Sequence, residues 1–250
     1  GDKELTKDTD YTLAYANNTN AGNATVTVTG KGNYGGTRDK TFTINKATVT
    51  VTPDAGKSKV FGSDDPALTY TFTGVAAGQT PGFTGALARV AGEVVGTYPI
   101  NQGTLAIVDH GAFLTGNYTL AFTEGVKFAI TPKDASALTI ADIAAVTYNG
   151  NAHTPEPEVK DGAKKLTKGT DYTLAYANNT NAGTATVTVI GKGGYIGTQE
   201  KTFKIYAKHA STLTVAPIAA VTYNGKAHTP EPTVKDGDKE LTKGTDYTLA

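Results

Sequence analysis

The chain has 250 residues, 23 basic against 23 acidic side chains and no Cys, Met or Trp. Balanced charge argues against the basic footprint of a nucleic-acid binder and against the patch that holds a protein on an anionic membrane. No Cys means no disulfide and no thiolate metal site, and no apolar run approaches the roughly 18 residues a membrane-spanning helix needs.

In chain order, the first predicted element is the strand of GDKELTKDTDYTLA (Gly1–Ala14), a phrase that returns as GDKELTKGTDYTLA (Gly237–Ala250). It continues into DYTLAYANNTNAGNATVTVTGKGNYGGTRDKTFTI (Asp10–Ile44), which reappears with few changes as Asp171–Ile205. Leu138–Ala175 likewise returns as Leu213–Ala250. Internal repetition of this kind is the signature of a modular array. The interval between the back-half copies is longer than that between the front-half copies, which makes Ala47–Pro132 a separate insert of another type. The expected divisions are residues 1–46, the back half of a type A repeat; 47–132, a complete type B module; 133–207, a complete type A module; and 208–250, the front half of another A. Expected linkers lie at Asn45–Thr48, Thr131–Ala135 and Ala207–Ser211. Such a chain reads as a slice of a longer array. Each end half would expose sheet edges and apolar faces, and head-to-tail completion between molecules is the expected consequence.

Within a repeat, Tyr172, Leu174 and Tyr176 alternate with Thr173 and Ala175, Val187 and Val189 with Thr186 and Thr188, and Phe203 and Ile205 with Thr202 and Lys204. Period two predicts half-buried strands. Gly, Asn or Pro recurs about every ten residues, so the prediction is an all-β chain of tandem small antiparallel β-sandwiches, immunoglobulin-like, forming an elongated semi-rigid rod. His153–Pro157 (HTPEP) predicts an extended edge, because Pro cannot donate to a ladder. Ala177–Gly183 (ANNTNAG) predicts a turn.

The stretches YNG-x-AHTPEP-x-VKDG and DYTLAYANNTNAG-x-ATVTV-x-GKG resemble MBG-type bacterial immunoglobulin-like repeats of large surface proteins. Type B, with VFGSDDPALTYT, GTYPINQGTL and NYTLAF, is similar to the YGX subtype, although Phe61 stands where that subtype usually has Tyr. The resemblance implies tandem β-sandwich modules in secreted or wall-anchored adhesins and stalks, hence an extracellular location, and brings no catalytic residues to map.

Several residues invite a chemical reading. Gly30-Lys31-Gly32-Asn33-Tyr34-Gly35 fits GxGxxG, but a dinucleotide site needs a helix after the glycines. Here a strand pattern follows and Ile196 replaces the third glycine, so a hairpin turn is expected. Asp64 and Asp65 in GSDDP offer adjacent hard oxygens for Ca²⁺, without the alternating frame of a calcium loop. His153 and His228, beside Glu156 and Glu231, supply one imidazole per copy where zinc needs three or four ligands. Lys59, Asn117 and Asp65 are candidates for a Lys–Asn crosslink promoted by an acid. Tyr98, Phe113 and Tyr118 are the aromatic candidates for a ligand surface, with a buried core the simpler fate. Thr25, Thr27 and Thr29 and Thr48, Thr50 and Thr52 form T-x-T ladders of the kind that can match an ice lattice, or simply face outward on strands. Asn17, Asn23, Asn117 and Asn178 lie in N-x-T sequons, which read as turn composition in a bacterial protein.

The expected role is therefore a non-enzymatic stalk or spacer, needing no cofactor, that projects a binding domain lying outside these residues toward a host glycan or protein. Two alternatives stand beside it: type B itself binds a host glycan or protein through loops such as 75–84 or 108–117, or the repeats accompany a secreted carbohydrate-active enzyme.

Overall fold

A computed structural model describes residues 3–249, and the chain divides into two compact units, Gly1–Lys133 and Asp134–Ala250. The expected junctions at 46/47 and 207/208 fall inside these units. The described residues are all-β, with three single-turn 3₁₀ segments.

The first unit contains β1 (Tyr11–Ala16), β2 (Gly22–Gly30), β3 (Thr37–Ile44), β4 (Ala47–Pro53), β5 (Ser58–Val60), β6 (Tyr70–Thr73), β7 (Gly82–Thr84), β8 (Ala88–Arg89), β9 (Gly96–Asn101), β10 (Ala106–Val108), β11 (Tyr118–Phe122) and β12 (Lys127–Thr131). Strand β13 is Lys133–Asp134. The second unit then contains β14 (Thr139–Ile140), β15 (Val146–Thr147), β16 (Val159–Asp161), β17 (Lys164–Lys165), β18 (Tyr172–Ala177), β19 (Gly183–Gly191), β20 (Tyr195–Ile196), β21 (Thr198–Tyr206), β22 (Thr214–Val215), β23 (Val234–Asp236) and β24 (Lys239–Glu240). Strand β4 already begins at Ala47, so the first expected linker shrinks to Asn45 and Lys46.

The repeated segments fold alike. Strands β1–β2–β3 form an antiparallel sheet pairing Tyr11 with Gly30 and Ala24 with Phe42, and β18–β19–β21 pairs Tyr172 with Gly191 and Ala185 with Phe203. The same sequence therefore sets the same register twice. The turns agree as well: Asn17 and Asn178 both take positive φ, 55° and 54°, a conformation that Asn tolerates better than most residues.

The expectation of purely antiparallel sheets is corrected. Strand β4 runs parallel to β11, β5 parallel to β12, and β15 parallel to β21. The cause is topological. In each complete module a strand from the start of the segment lies against one from its end, and both travel the same way. Alternation reports which face of a strand is buried but not the direction of its neighbour.

The type B region has three sheets among its described residues, β11–β4–β6, β5–β12–β9–β8 and the two-stranded β10–β7. Val51, Leu87, Ile100, Leu105, Phe128 and Ile130 form its main core, and Val49, Phe113 and Tyr118 form a second cluster. In the complete type A segment, Ala185, Val187, Phe203 and Ile205 form the core, covered by Ile143, Val146 and Tyr148 from the front half of the repeat.

Candidate functional site

The densest polar constellation lies in the type B region. Strand β5 buries only its middle residue, and that residue is Lys59. A lone buried ammonium would be very unfavourable. Lys59 Nζ instead meets Asp65 Oδ1 at 2.8 Å and also binds Glu93 Oε2. Asp65 follows the turn at Gly62. Arg89 closes β8, and Glu93 lies four residues further on in the loop that leads to β9.

Arg89 binds Asp65 with both arms of its fork, Nε to Oδ2 at 2.5 Å and Nη2 to Oδ1 at 3.0 Å. Nη2 also donates to Glu93 Oε1 at 2.7 Å, and Nη1 donates to the Val90 and Gly92 carbonyls at 3.1 and 2.7 Å. Every N–H of the guanidinium is thereby used. Its carbon sits 5.1 Å from the centres of both the Tyr98 and Phe128 rings, within cation–π range. The Lys59 and Arg89 side chains are 5% and 8% exposed, while Asp65 and Glu93 border the solvent.

Two cations and two carboxylates balance, and each holds the others in the charged form. The Arg89 fork, aided by Lys59, pulls the Asp65 carboxyl down to about 2. Lys59 and then Arg89 lower Glu93. Asp65 and then Glu93 raise Lys59, and Asp65 chiefly raises Arg89. A general acid or base needs a proton to trade near neutral pH, and no member of this set has one. What the arrangement does is tie the loops carrying Asp65 and Glu93 to the sheet beneath them.

The structure thus brings together Lys59 and Asp65 of the expected crosslink set and places Asn117 elsewhere. Asn117 Oδ1 accepts from the Ala21 amide at 2.8 Å, and its Nδ2 donates to Asn20 Oδ1 at 3.0 Å. Sequence reasoning misses Arg89 and Glu93. Their signal is an i, i+4 pair in ARVAGEVV, but that pair is remote in sequence from Lys59 and Asp65 and is set partly on irregular loops.

For calcium, both Asp65 oxygens are already taken by cations, and Asp64 is exposed. Among the described residues, no group of three or more His, Cys, Asp or Glu could hold a metal. Glu156 pairs with Lys168 and Glu231 with Lys243, each in the neighbouring turn rather than with a histidine. The His153 amide donates to the Asn179 carbonyl at 2.8 Å, and the Asn179 side chain donates back to the His153 carbonyl at 2.9 Å.

Phe113 is fully buried and stacks on Tyr118, centroids 4.4 Å apart. The Tyr118 hydroxyl donates to Gln79 Oε1 at 2.7 Å, and Tyr98 donates to the Val94 carbonyl at 2.7 Å. Two of the three aromatic candidates are core residues, and Tyr98 packs on Arg89. The Thr ladders are engaged sideways: Thr48 meets Thr119 at 3.3 Å and Thr52 meets Thr123 at 2.8 Å across the parallel β4–β11 pair, a common cross-strand device. In the GxGxxG stretch, a Cβ on Gly30 would lie 2.7 Å from the Tyr34 carbonyl carbon. The glycine permits a tight backbone crossing before β3, and no helix follows to hold a phosphate.

Residues 49–129 match the sequence model of the MBG domain (YGX type). The match spans the insert from within β4 to within β12 and supports the resemblance drawn from VFGSDDPALTYT and NYTLAF. No curated protein and no solved structure matches the chain.

Proposed function

We propose that this chain is a run of structural repeat modules from a bacterial surface protein, acting outside the cell as a spacer for a separate binding domain and catalysing no reaction. The observation that carries this reading is the equality of the two type A sheets, in which the same residues give the same pairings at two separate places along the chain. Repetition of a whole packing unit multiplies length and rigidity, whereas a binding or catalytic site gains nothing from being duplicated around core positions. The type B clasp supports the reading too, because it fixes loops with groups that stay ionised across ordinary pH. The host glycan or protein expected as partner belongs, on this reading, to the domain being carried.

Single-molecule stretching tests the proposal. Discrete unfolding steps of roughly 25 nm each, the reach of a 70–80 residue module pulled straight, and no retention on glycan or host-protein arrays are the expected results. Saturable binding to one glycan class by the isolated chain, lost on a substitution in the 75–84 or 108–117 loops, would transfer the role to type B itself.

A further inference from the structure

Tension along a chain enters a module at its first strand and leaves it at its last. In type B those strands are β4, entered at Ala47, and β12, left at Thr131. Both are inner strands: β4 lies between β11 and β6, and β12 between β5 and β9. Each also has a parallel neighbour from the opposite end of the module. Strand β4 pairs with β11 from Ala47 opposite Tyr118 to Val51 opposite Phe122, and β5 pairs with β12 from Ser58 opposite Ala129 to Val60 opposite Thr131. Tension draws β4 by its N-terminal end and β11 by its C-terminal end, and it draws β5 and β12 in the same way. In a parallel pair those are opposite ends, so the strands are pulled to slide lengthwise. Every rung then carries load together until the slip approaches the rise of one residue, about 3 Å.

The rungs are reinforced and dry. Between β5 and β12 the Ala129 amide donates to the Lys57 carbonyl at 3.0 Å, the Phe61 amide to the Thr131 carbonyl at 2.8 Å, and the Thr131 hydroxyl to the Lys59 carbonyl at 3.2 Å. Beside β4 the Thr123 amide donates to the Val51 carbonyl at 2.8 Å, and the Thr48–Thr119 and Thr52–Thr123 hydroxyl pairs add two further bridges. Val49, Val51, Phe128 and Ile130 are buried on these strands, so water is kept from replacing a loaded bond. Lys59 is the middle residue of β5, and its bonds to Asp65 and Glu93 anchor that strand to Arg89 on β8, at the far edge of the same sheet. The complete type A module has less. Its parallel strand β15 is an outer strand of two residues, with Val146 opposite Ile205 and an exposed Thr147 opposite Tyr206. One further bond follows, from the Tyr148 amide to the Tyr206 carbonyl at 2.9 Å.

We propose that type B is a force-bearing module, in which β4–β11 and β5–β12 act as two shear clamps, and that under tension along the chain type A gives way before type B. The clamps give a role to two features of type B: threonine hydroxyls that face one another across β4 and β11, and a buried ion cluster rooted on a short edge strand. Forced unfolding is governed by the unfolding rate rather than by equilibrium stability, so a clamp is read as force and as the dependence of that force on direction. The proposal concerns how the module meets tension, and it holds or fails whether or not the chain carries a separate binding domain.

Pulling the 250-residue chain through thiol handles tests it, since the chain has no cysteine of its own. In A47C with T131C the load slides both parallel pairs. In S63C with T131C it acts at the C-terminal ends of β5 and β12 and peels that pair from one end. Ala47, Ser63 and Thr131 are exposed, and T131C is common to both variants, so the loss of its hydroxyl bond cancels. At equal pulling speed the first variant is expected to need at least about twice the force of the second, because several bonds must fail together rather than singly. Equal forces, or a higher force in the peeling direction, overturn the proposal. A third variant, A47C with Y206C, places type B and the complete type A module in series; Tyr206, at the end of β21, is 62% exposed. Type B holds more residues between its ends and gives the longer step. The shorter step is expected first, at the lower force. The longer step coming first, or both modules yielding in one step, overturns the proposal as well.

Discussion

Phe42 and Phe203 occupy equivalent positions of two matching sheets, opposite Ala24 and Ala185 respectively, yet Phe42 is 41% exposed and Phe203 3%. Sequence and register are shared, so the difference comes from what lies across the sheet. Truncating Phe203 removes a core side chain, and F203A should cost the complete type A module about 3–5 kcal/mol. F42A, measured in dilute monomer, should cost less than about 1 kcal/mol. Denaturant unfolding of each variant, followed by NMR at the two sheets, compares them directly.

The Asp65 clasp predicts a pH dependence for type B. The native carboxyl titrates at about 2 instead of the ordinary 3.8, so the folded state binds its proton more weakly than the unfolded chain. A depressed acid stabilises above its unfolded value and loses that contribution as pH falls through the folded one. Urea midpoints read at the amides of Lys59, Phe128 and Ile130 should therefore drop between about pH 4 and pH 2. In D65N that part of the drop should vanish and the midpoint near neutrality should be lower.

The same clasp argues against a covalent Lys59–Asp65 amide. Condensation needs a neutral amine and a neutral acid, and Arg89 keeps the carboxylate ionised. Intact-mass measurement should return the full sequence mass; a species lighter by one water, lost in D65N, would show this amide, and one lighter by one ammonia would show the Lys59–Asn117 bond expected from the sequence.

Gly85 should resist substitution. Its φ is +75° and a Cβ would lie 2.1 Å from the Thr104 carbonyl oxygen, whereas Gly111, at φ +55°, faces open space. G85A should cost type B more than about 2 kcal/mol and G111A about 1 kcal/mol, since only the former adds a clash to the left-handed backbone. Thermal unfolding of the two variants side by side gives the comparison.

Much of this was legible in the sequence because it is local or repeated. Alternation in Tyr172–Tyr176 and Thr184–Val189 gave the strands and their buried faces, and the turn at Asn178 followed from ANNTNAG. The parallel pairing of Val49 with Leu120 was not legible, because strands from opposite ends of a module leave no mark of direction in either. Lys59 and Asp65 stand out in the sequence only as the amine and acid of a crosslink set with Asn117, not as an ion pair. That Arg89 would lie between them and two aromatic rings depends on where β8 ends against β9, and no spacing rule encodes that. Phe113 and Tyr118 were ambiguous between ligand surface and core until β4 and β11 placed them inside.

Residue-resolved hydrogen exchange on the dilute, monomeric chain tests most directly that a type A core exists only when both halves of the repeat meet. Amides of Val187, Val189 and Phe203 should be protected at least about tenfold more than those of Val26, Val28 and Phe42, whose antiparallel pairing is the same but whose cover is missing. Equal protection in the two sheets would contradict it, since the front half would then add nothing to the stability of the back.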